Sequence, residues 1–272
     1  MRESRLYSFL DNKNGFTLHF FEGQKLMANL SLLKNLQISS FAYYRDIVLS
    51  TVPMISFLKP TEGFGLYLDS QSPYFRFKIE ANSNGSLRTL LLPESFNQFP
   101  DKITGEARFV KNLPGSVPYT SIIKIDNEPT AEIINRILNE SYQTNANVQL
   151  GNTIDQSLMV VKLPQLNVDK HYDDSTSMKE FLLKNKKFIQ YTFDADLNDI
   201  EQIVNYFEQN GYAYMASREV RFHCPCSKER MIANLSTLSV TDREDLFDKN
   251  GVIEAKCDYC LTVHKILRSD FN

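Results

Sequence analysis

Cys224-Pro225-Cys226, then thirty residues, then Cys257-Asp258-Tyr259-Cys260 is the stretch that dictates how the C-terminal part of this chain folds. It holds all four cysteines of a 272-residue sequence, and everything upstream is cysteine-free. Two close pairs brought together by folding supply four thiolates, the donor set of a closed tetrahedral zinc site with no position left for water or substrate. The spacing therefore predicts one Zn2+ per reduced chain, bound by Cys224, Cys226, Cys257 and Cys260, and argues against a zinc enzyme. Ligands two apart share a metal only in a sharp turn, and Pro225 fixes one φ of that turn. His223, beside Cys224, and His264, four residues past Cys260, stand at spacings seen in mixed Cys/His sites. With four thiolates available, both are read as lying outside the ligand set. The alternative is four cysteines that are incidental or separately buried.

Such thiolates also carry redox chemistry. Peroxide or hypochlorous acid oxidises the sulfur, and each close pair can then close as a disulfide, Cys224–Cys226 and Cys257–Cys260. The free energy of a structural zinc is largely folding free energy. Disulfides spanning loops this short restore little order, because their stabilisation grows with loop length. Oxidation is therefore predicted to release structure.

Working outward, residues 219–272 read as a small zinc-binding domain. Ser227 caps a helix bearing Met231, Ile232, Leu235 and Leu238, and Thr241-Asp-Arg-Glu244 reads as a capping box opening a second short helix before Gly251. Val252 to Ala255 and Leu261 to Leu267 are expected to pair as strands with the second cysteine pair at their turn. So short a segment has little core of its own and needs its metal to fold. Lys228, Arg230, Lys256 and Lys265 lie near the ligands, either offsetting thiolate charge or forming a solvated face.

Residues 169–218 read as a helical linker. A polar run, Asp169 to Ser177, leads into helix from Met178 to Lys187, and a second helix from Leu197 to Asn210 follows Asp194 or Asp196 as cap. Asn210-Gly211 ends it through a left-handed exit. Leu197, Ile200, Ile203, Val204 and Phe207 form an apolar stripe, read as ordinary packing against the core.

Residues 1–168 read as a β-rich core with packed helices, so the whole chain is placed in the α+β class. Gln24 to Leu36 carries Leu26, Met27, Leu30 and Leu33 at helical spacing, with more helix from Tyr43 to Leu49. Strands Tyr74 to Ala81 and Ser86 to Leu92 flank the hairpin signal Asn84-Gly85. Further strands are expected at Gly105 to Lys111, Tyr119 to Ile125 and Ser157 to Leu163. Before the last of these, Asn127 caps a helix with Pro129 in its first turn and Ile133, Ile134 and Ile137 facing inward.

Composition narrows the function classes. Thirty basic and thirty-three acidic residues leave a net charge of -3, and no basic stripe draws the chain to nucleic acid or an anionic membrane. The longest apolar stretch, around Ile47 to Leu58, is broken by Ser50, Thr51, Pro53 and Ser56, short of the ~20 apolar residues of a membrane span. Met1-Arg-Glu-Ser-Arg leads into a mixed polar segment, so no signal peptide is expected, and cysteines in metal-ligand spacing suit the reducing cytoplasm. The sequence offers no Gly-rich phosphate loop, no H-E-x-x-H and no Ser elbow. His19 and His171 have no local partners, and Gly63-Phe-Gly65 reads as a strand entrance. A non-enzyme is expected.

The cysteine order, and the stretch Phe222-His-Cys-Pro-Cys-Ser-Lys-Glu-Arg230, resemble the zinc-domain opening of the heat-shock protein 33 family, redox-regulated holdases also called 33 kDa chaperonins. Ile137-Leu-Asn-Glu-Ser-Tyr-Gln-Thr144, followed by Val148-Gln-Leu150, resembles the family's helix ending in Ser-Glu-Gln-Thr and its next strand, with Tyr142 where the family usually has Glu. Ser157 to Pro164 resembles the strand that closes the family's core, while Leu32 to Leu68 is divergent. The resemblance implies an ATP-independent chaperone, inactive when reduced and zinc-bound. Oxidation would release zinc, free the linker and expose apolar surface for unfolding client proteins, with a homodimer as the active form. The alternative is a zinc-stabilised binding or adaptor module with a purely structural metal.

Overall fold

The structure, a computed structural model, describes residues 2–34, 36–164, 175–195 and 197–271. The fold is α+β. The chain forms two compact units, Met1–Phe222 and His223–Asn272.

The first unit opens with an antiparallel hairpin, β1 (Arg5–Asp11) and β2 (Phe16–Glu22). Helices α1 (Gln24–Lys34) and α2 (Ile38–Thr51) follow, and α2 tightens into a 3-10 turn at Val52–Phe57, where Pro53 has no N–H to continue an α-helix. Next come β3 (Gly63–Ser72), β4 (Tyr74–Asn82), β5 (Ser86–Leu92), β6 (Ile103–Asn112) and β7 (Tyr119–Glu128). Helix α3 (Thr130–Arg136) widens into a π turn at Ile137–Ser141 before β8 (Ala146–Leu150) and β9 (Gln156–Lys162). The unit ends with α4 (Met178–Lys184), α5 (Lys186–Asp194), α6 (Ile200–Gln209), β10 (Ala213–Glu219) and β11 (Arg221–Phe222).

These strands build two sheets, ordered β10-β1-β2-β9-β8 and β11-β5-β4-β3-β6-β7. Strand alternation sends Leu6, Phe21, Met159 and Val161 to one face of the five-stranded sheet. There they join α1, α2 and the apolar face of the six-stranded sheet in one buried cluster that includes Met27, Tyr44, Ile47, Phe64, Phe77 and Phe109. Ile133, Ile134 and Ile137 are fully buried in it, as the helical spacing predicts. The opposite face of the five-stranded sheet is apolar too. Tyr7, Phe9, Phe16, Leu18, Phe20, Leu158 and Val160 are buried there beneath Phe181, Ile189, Leu197, Ile203 and Phe207 of the α4–α6 segment. Phe9 stacks on Phe207 at 4.1 Å between ring centroids and Phe16 on Phe181 at 4.2 Å.

Polar contacts fix the same layer. Gln156 Nε2 donates to the Leu197 carbonyl at 2.8 Å, Lys162 Nζ donates to the Thr176 carbonyl at 2.9 Å, and Arg2 pairs with Asp199.

Several expectations are corrected. The second linker helix starts at Ile200, capped by Asp199, whose carboxylate accepts from the Glu201 and Gln202 amides; Leu197 lies before it and is buried. The first linker helix breaks at Asn185 and continues as α5. Ala213–Glu219, placed at the end of the helical linker, is instead the edge strand β10, drawn into extended form by its ladder with β1. Asn127 does not cap α3: it lies in the left-handed region, φ 53°, one residue before the end of β7, and Pro129 takes the N-cap position. The polar run Asp169 to Ser177 and His171 fall largely or wholly outside the described residues. At Asn84-Gly85 the hairpin forms as expected, and Gly85 is required there: φ is 85°, and a Cβ would sit 1.9 Å from the Glu219 carbonyl oxygen.

His19 is buried on the inner side of β2, with Ser8 Oγ 2.9 Å from its Nδ1, and burial holds its pKa down at about 4. Unfolding restores the ordinary value near 6.5, so between these limits the unfolded chain takes up the extra proton and stability falls as pH falls. Going from pH 7 to pH 5 is expected to remove about 2 kcal/mol at this residue. Urea titrations at the two pH values, compared with His19→Asn, which lacks the titrating ring, should show that difference.

Candidate metal centre

The second unit brings its four cysteines together from two turns. Cys224 and Cys226 immediately precede α7 (Lys228–Leu235), which starts where predicted because Ser227 accepts the Arg230 amide. Within the Cys-Pro-Cys turn the Cys226 amide donates to the Cys224 sulfur, and Arg230 Nη1 donates to the Pro225 carbonyl at 2.8 Å. A second short helix, α8 (Val240–Glu244), is capped by Ser239 rather than opened by Thr241, since Ser239 and Asp242 have the same cap-to-third-residue spacing.

Cys257 and Cys260 occupy the turn between β12 (Val252–Lys256) and β13 (Val263–Leu267). The Cys257 amide donates to the Thr262 carbonyl and the Leu261 amide to the Cys257 carbonyl, with Leu261 in the left-handed region at φ 60°. Ile253 and Ile266 face each other across the ladder. With Cys257 they are the three buried side chains among the described residues of this unit. Part of the missing core is replaced by stacked cations: Arg243 over Phe271 at 4.6 Å and Arg268 over Phe247 at 4.3 Å.

The four Sγ atoms lie within 4.8 Å of one another, Cys224 to Cys257 at 3.7 Å and Cys226 to Cys260 at 3.3 Å. A tetrahedron with metal–sulfur bonds of ~2.3 Å has edges of about 3.8 Å, so this donor set fits a four-thiolate ion. The thiols are electrostatically unequal. Burial pushes Cys224 up, and burial with its thiol neighbours pushes Cys226 up further. Burial also opposes ionisation of Cys260, but hydrogen bonds from Thr262 and from neighbouring thiols outweigh it and bring the pKa down to about 6. The cluster alone thus favours a thiolate at Cys260 and resists thiolates at Cys224 and Cys226. Four together call for a cation.

His264 Nε2 lies 3.5 Å from the Cys226 sulfur, beside the donor set, and His223 is exposed. Lys228 pairs with Asp270 at 2.7 Å and Lys265 with Glu254 at 3.4 Å. Those two amines face carboxylates instead of offsetting thiolate charge; Arg230 is the cation bonded into the ligand turn, and Lys256 directly precedes Cys257. Thr262, with its Oγ1 3.3 Å from the Cys260 sulfur, escaped the sequence reading, although a hydroxyl residue two positions past the last cysteine was visible. Ser8 beside His19 escaped it too, because that pair meets only across the β1–β2 ladder. No helix among the described residues is long and apolar enough to cross a membrane.

Comparison with known proteins bears on the whole chain. A family model described as Hsp33 protein matches residues 4–266, including the N-terminal half in which motifs are hard to read. The chain is 22% identical to the 33 kDa chaperonin of Aquifex aeolicus over 75% of its length and 68% of that protein's. It is 24% identical to the 33 kDa chaperonin of Thermosynechococcus vestitus, covering 84% of this chain and 81% of that one. The crystal structure of the 33 kDa chaperonin from Thermotoga maritima superposes with a TM-score of 0.76 at 13% identity, covering 99% of this chain and 97% of that one, and so shares the fold.

Cobalt(II) titrated into the reduced chain is expected to saturate at about one equivalent and to develop strong thiolate-to-cobalt charge-transfer absorption. Cys257→Ser should weaken cobalt binding at least tenfold and collapse the amide dispersion of residues 223–271.

Proposed function

The chain belongs to the Hsp33 protein family, and from that premise we propose that it is a redox-regulated, ATP-independent holdase. In the proposed division, residues 1–168 bind clients and dimerise, residues 169–218 form the linker, and residues 219–272 form the redox switch. The observation that carries the reading is the aromatic face of the five-stranded sheet, covered by α4–α6 in the segment of chain that leads to the cysteine-bearing unit.

In the reduced state Cys224, Cys226, Cys257 and Cys260 hold one zinc ion. When bound, zinc supplies the positive charge that lets four thiolates coexist and the fixed geometry that joins the two turns. Under oxidation each pair of thiolates gives up two electrons to one peroxide, which takes up two protons from solvent and leaves as two waters, so that the Cys224–Cys226 and Cys257–Cys260 disulfides form and the ion is released. Among its described residues the second unit then retains only Ile253 and Ile266 as buried side chains beside Cys257, too small a core to hold its fold.

The linker is next to yield. Its last strand, β10, has one partner and mostly exposed side chains, so its hold rests on the ladder with β1. Once α4–α6 lift away, Phe9, Phe16, Phe20 and the linker's own Phe181 and Phe207 become available to apolar segments of unfolding proteins. Clients are thus captured by surface that reduction hides again, with no nucleotide cycle. A reducing cytoplasm is the compartment in which this resting state is stable.

Zinc release, followed with a chromogenic chelator during peroxide treatment at elevated temperature, should proceed in step with suppression of client aggregation in the same samples. Zinc retained, or lost without holdase activity, would favour the structural-module alternative. Phe207→Ala removes the ring stacked on Phe9 and should destabilise the docked layer by about 3–5 kcal/mol. Partial holdase activity is expected in that variant while it is still reduced, measured as light scattering of a thermally unfolding client.

A further inference from the structure

One corner of the inner face of the five-stranded sheet is polar. There Ser8, Thr17 and His19 replace the hydrophobic residues that alternation calls for, and they open onto a cavity of about 260 Å³ walled on the far side by Met215, Ala216 and Arg218 of β10. Buried polar groups are unfavourable unless paired, yet the Ser56 hydroxyl that lines this cavity is buried with no partner among the described residues. Thr17 is 9% exposed and His19 8%, and neither the Thr17 hydroxyl nor His19 Nε2 has a partner among the described residues. Arg218 donates through Nη1 to the Ile55 carbonyl at 3.2 Å and has no carboxylate partner among the described residues. No acidic residue lines the cavity, whereas Leu6 and Met215 supply apolar wall.

From the Arg218 guanidinium without a carboxylate partner, the Thr17 hydroxyl and the His19 ring facing one cavity with Leu6 and Met215 in its wall, we propose that this corner is a binding site for a small monocarboxylate with a short hydrocarbon tail. A guanidinium matches a carboxylate in shape and charge. The proposal assigns the Ser8–His19 bond with the hydroxyl donating to Nδ1, so that His19 carries its proton on Nε2 and becomes a second donor. One cation balances one anionic charge, which favours a carboxylate over a dianionic phosphate. The volume lies below the ~300–1,000 Å³ of drug-sized sites. Because β10 forms one wall, an occupant bridges that edge strand to β2.

The test is a two-dimensional amide NMR titration of the full reduced chain with sodium hexanoate at constant ionic strength, repeated with hexanamide and with inorganic phosphate. Saturable shifts confined to amides around Ser8, His19 and Ala216 to Arg218 are expected, with hexanamide and phosphate each binding at least tenfold more weakly. Thr17→Val, isosteric and suited to a strand, should weaken hexanoate about fivefold, and Arg218→Gln at least tenfold. Shifts that do not saturate, equal binding of hexanamide or phosphate, or unchanged affinity in Thr17→Val, which keeps the strand intact, would overturn the proposal.

Discussion

A sheet with two apolar faces must be covered twice. The six-stranded sheet, α1 and α2 bury one face of the five-stranded sheet, and the other is left with Phe9, Phe16, Phe20 and their neighbours, which only a further apolar layer can keep from water. The α4–α6 segment supplies that layer through two near-parallel ring stacks and a handful of aliphatic contacts. The remaining architecture depends on this requirement. Because the covering layer is amphipathic helix with modest contacts, its docking free energy is a difference between burial and ordering entropy and is open to adjustment from outside.

The cysteine cluster meets the opposite constraint. Its unit has almost no hydrophobic core, so order comes from four converging sulfurs, two well-formed turns and arginines laid over phenylalanine rings. The thiols are unequal: Thr262 makes Cys260 easier to ionise, while burial makes Cys224 and Cys226 harder. An arrangement of this kind binds a soft cation well and is correspondingly exposed to anything that consumes thiolate.

Legibility in the sequence followed physical locality. The cysteine cluster, the Asn84-Gly85 hairpin, the Ser227 cap and the Ile133, Ile134 and Ile137 stripe all arise from residues a few positions apart, and each could be placed in advance. β2 could not, because every one of its residues is buried and the two-residue alternation that marks a strand is absent. β10 was missed for the converse reason, since its exposed, mixed side chains carry little pattern and its extended form comes from a partner some two hundred residues away. Asn127 had the composition of a cap but adopts a left-handed turn, a conformation open to asparagine as well. Tyr142, standing where the family usually has Glu, becomes intelligible only in three dimensions: its ring packs against Phe57 at 5.1 Å and Phe109 at 4.9 Å.

The pairing of β1 with β10 also has a temporal meaning. Residues 5–11 are made some two hundred residues before residues 213–219, so during vectorial synthesis the outer edge of β1 has no partner until that span has been added. At elongation rates of ~5–20 residues per second, that interval is on the order of ten to forty seconds. Throughout it the aromatic face is also bare, since α4–α6 emerge only shortly before β10. During that interval the nascent chain leaves uncovered the same face that α4–α6 later bury, until residues 178–219 have followed.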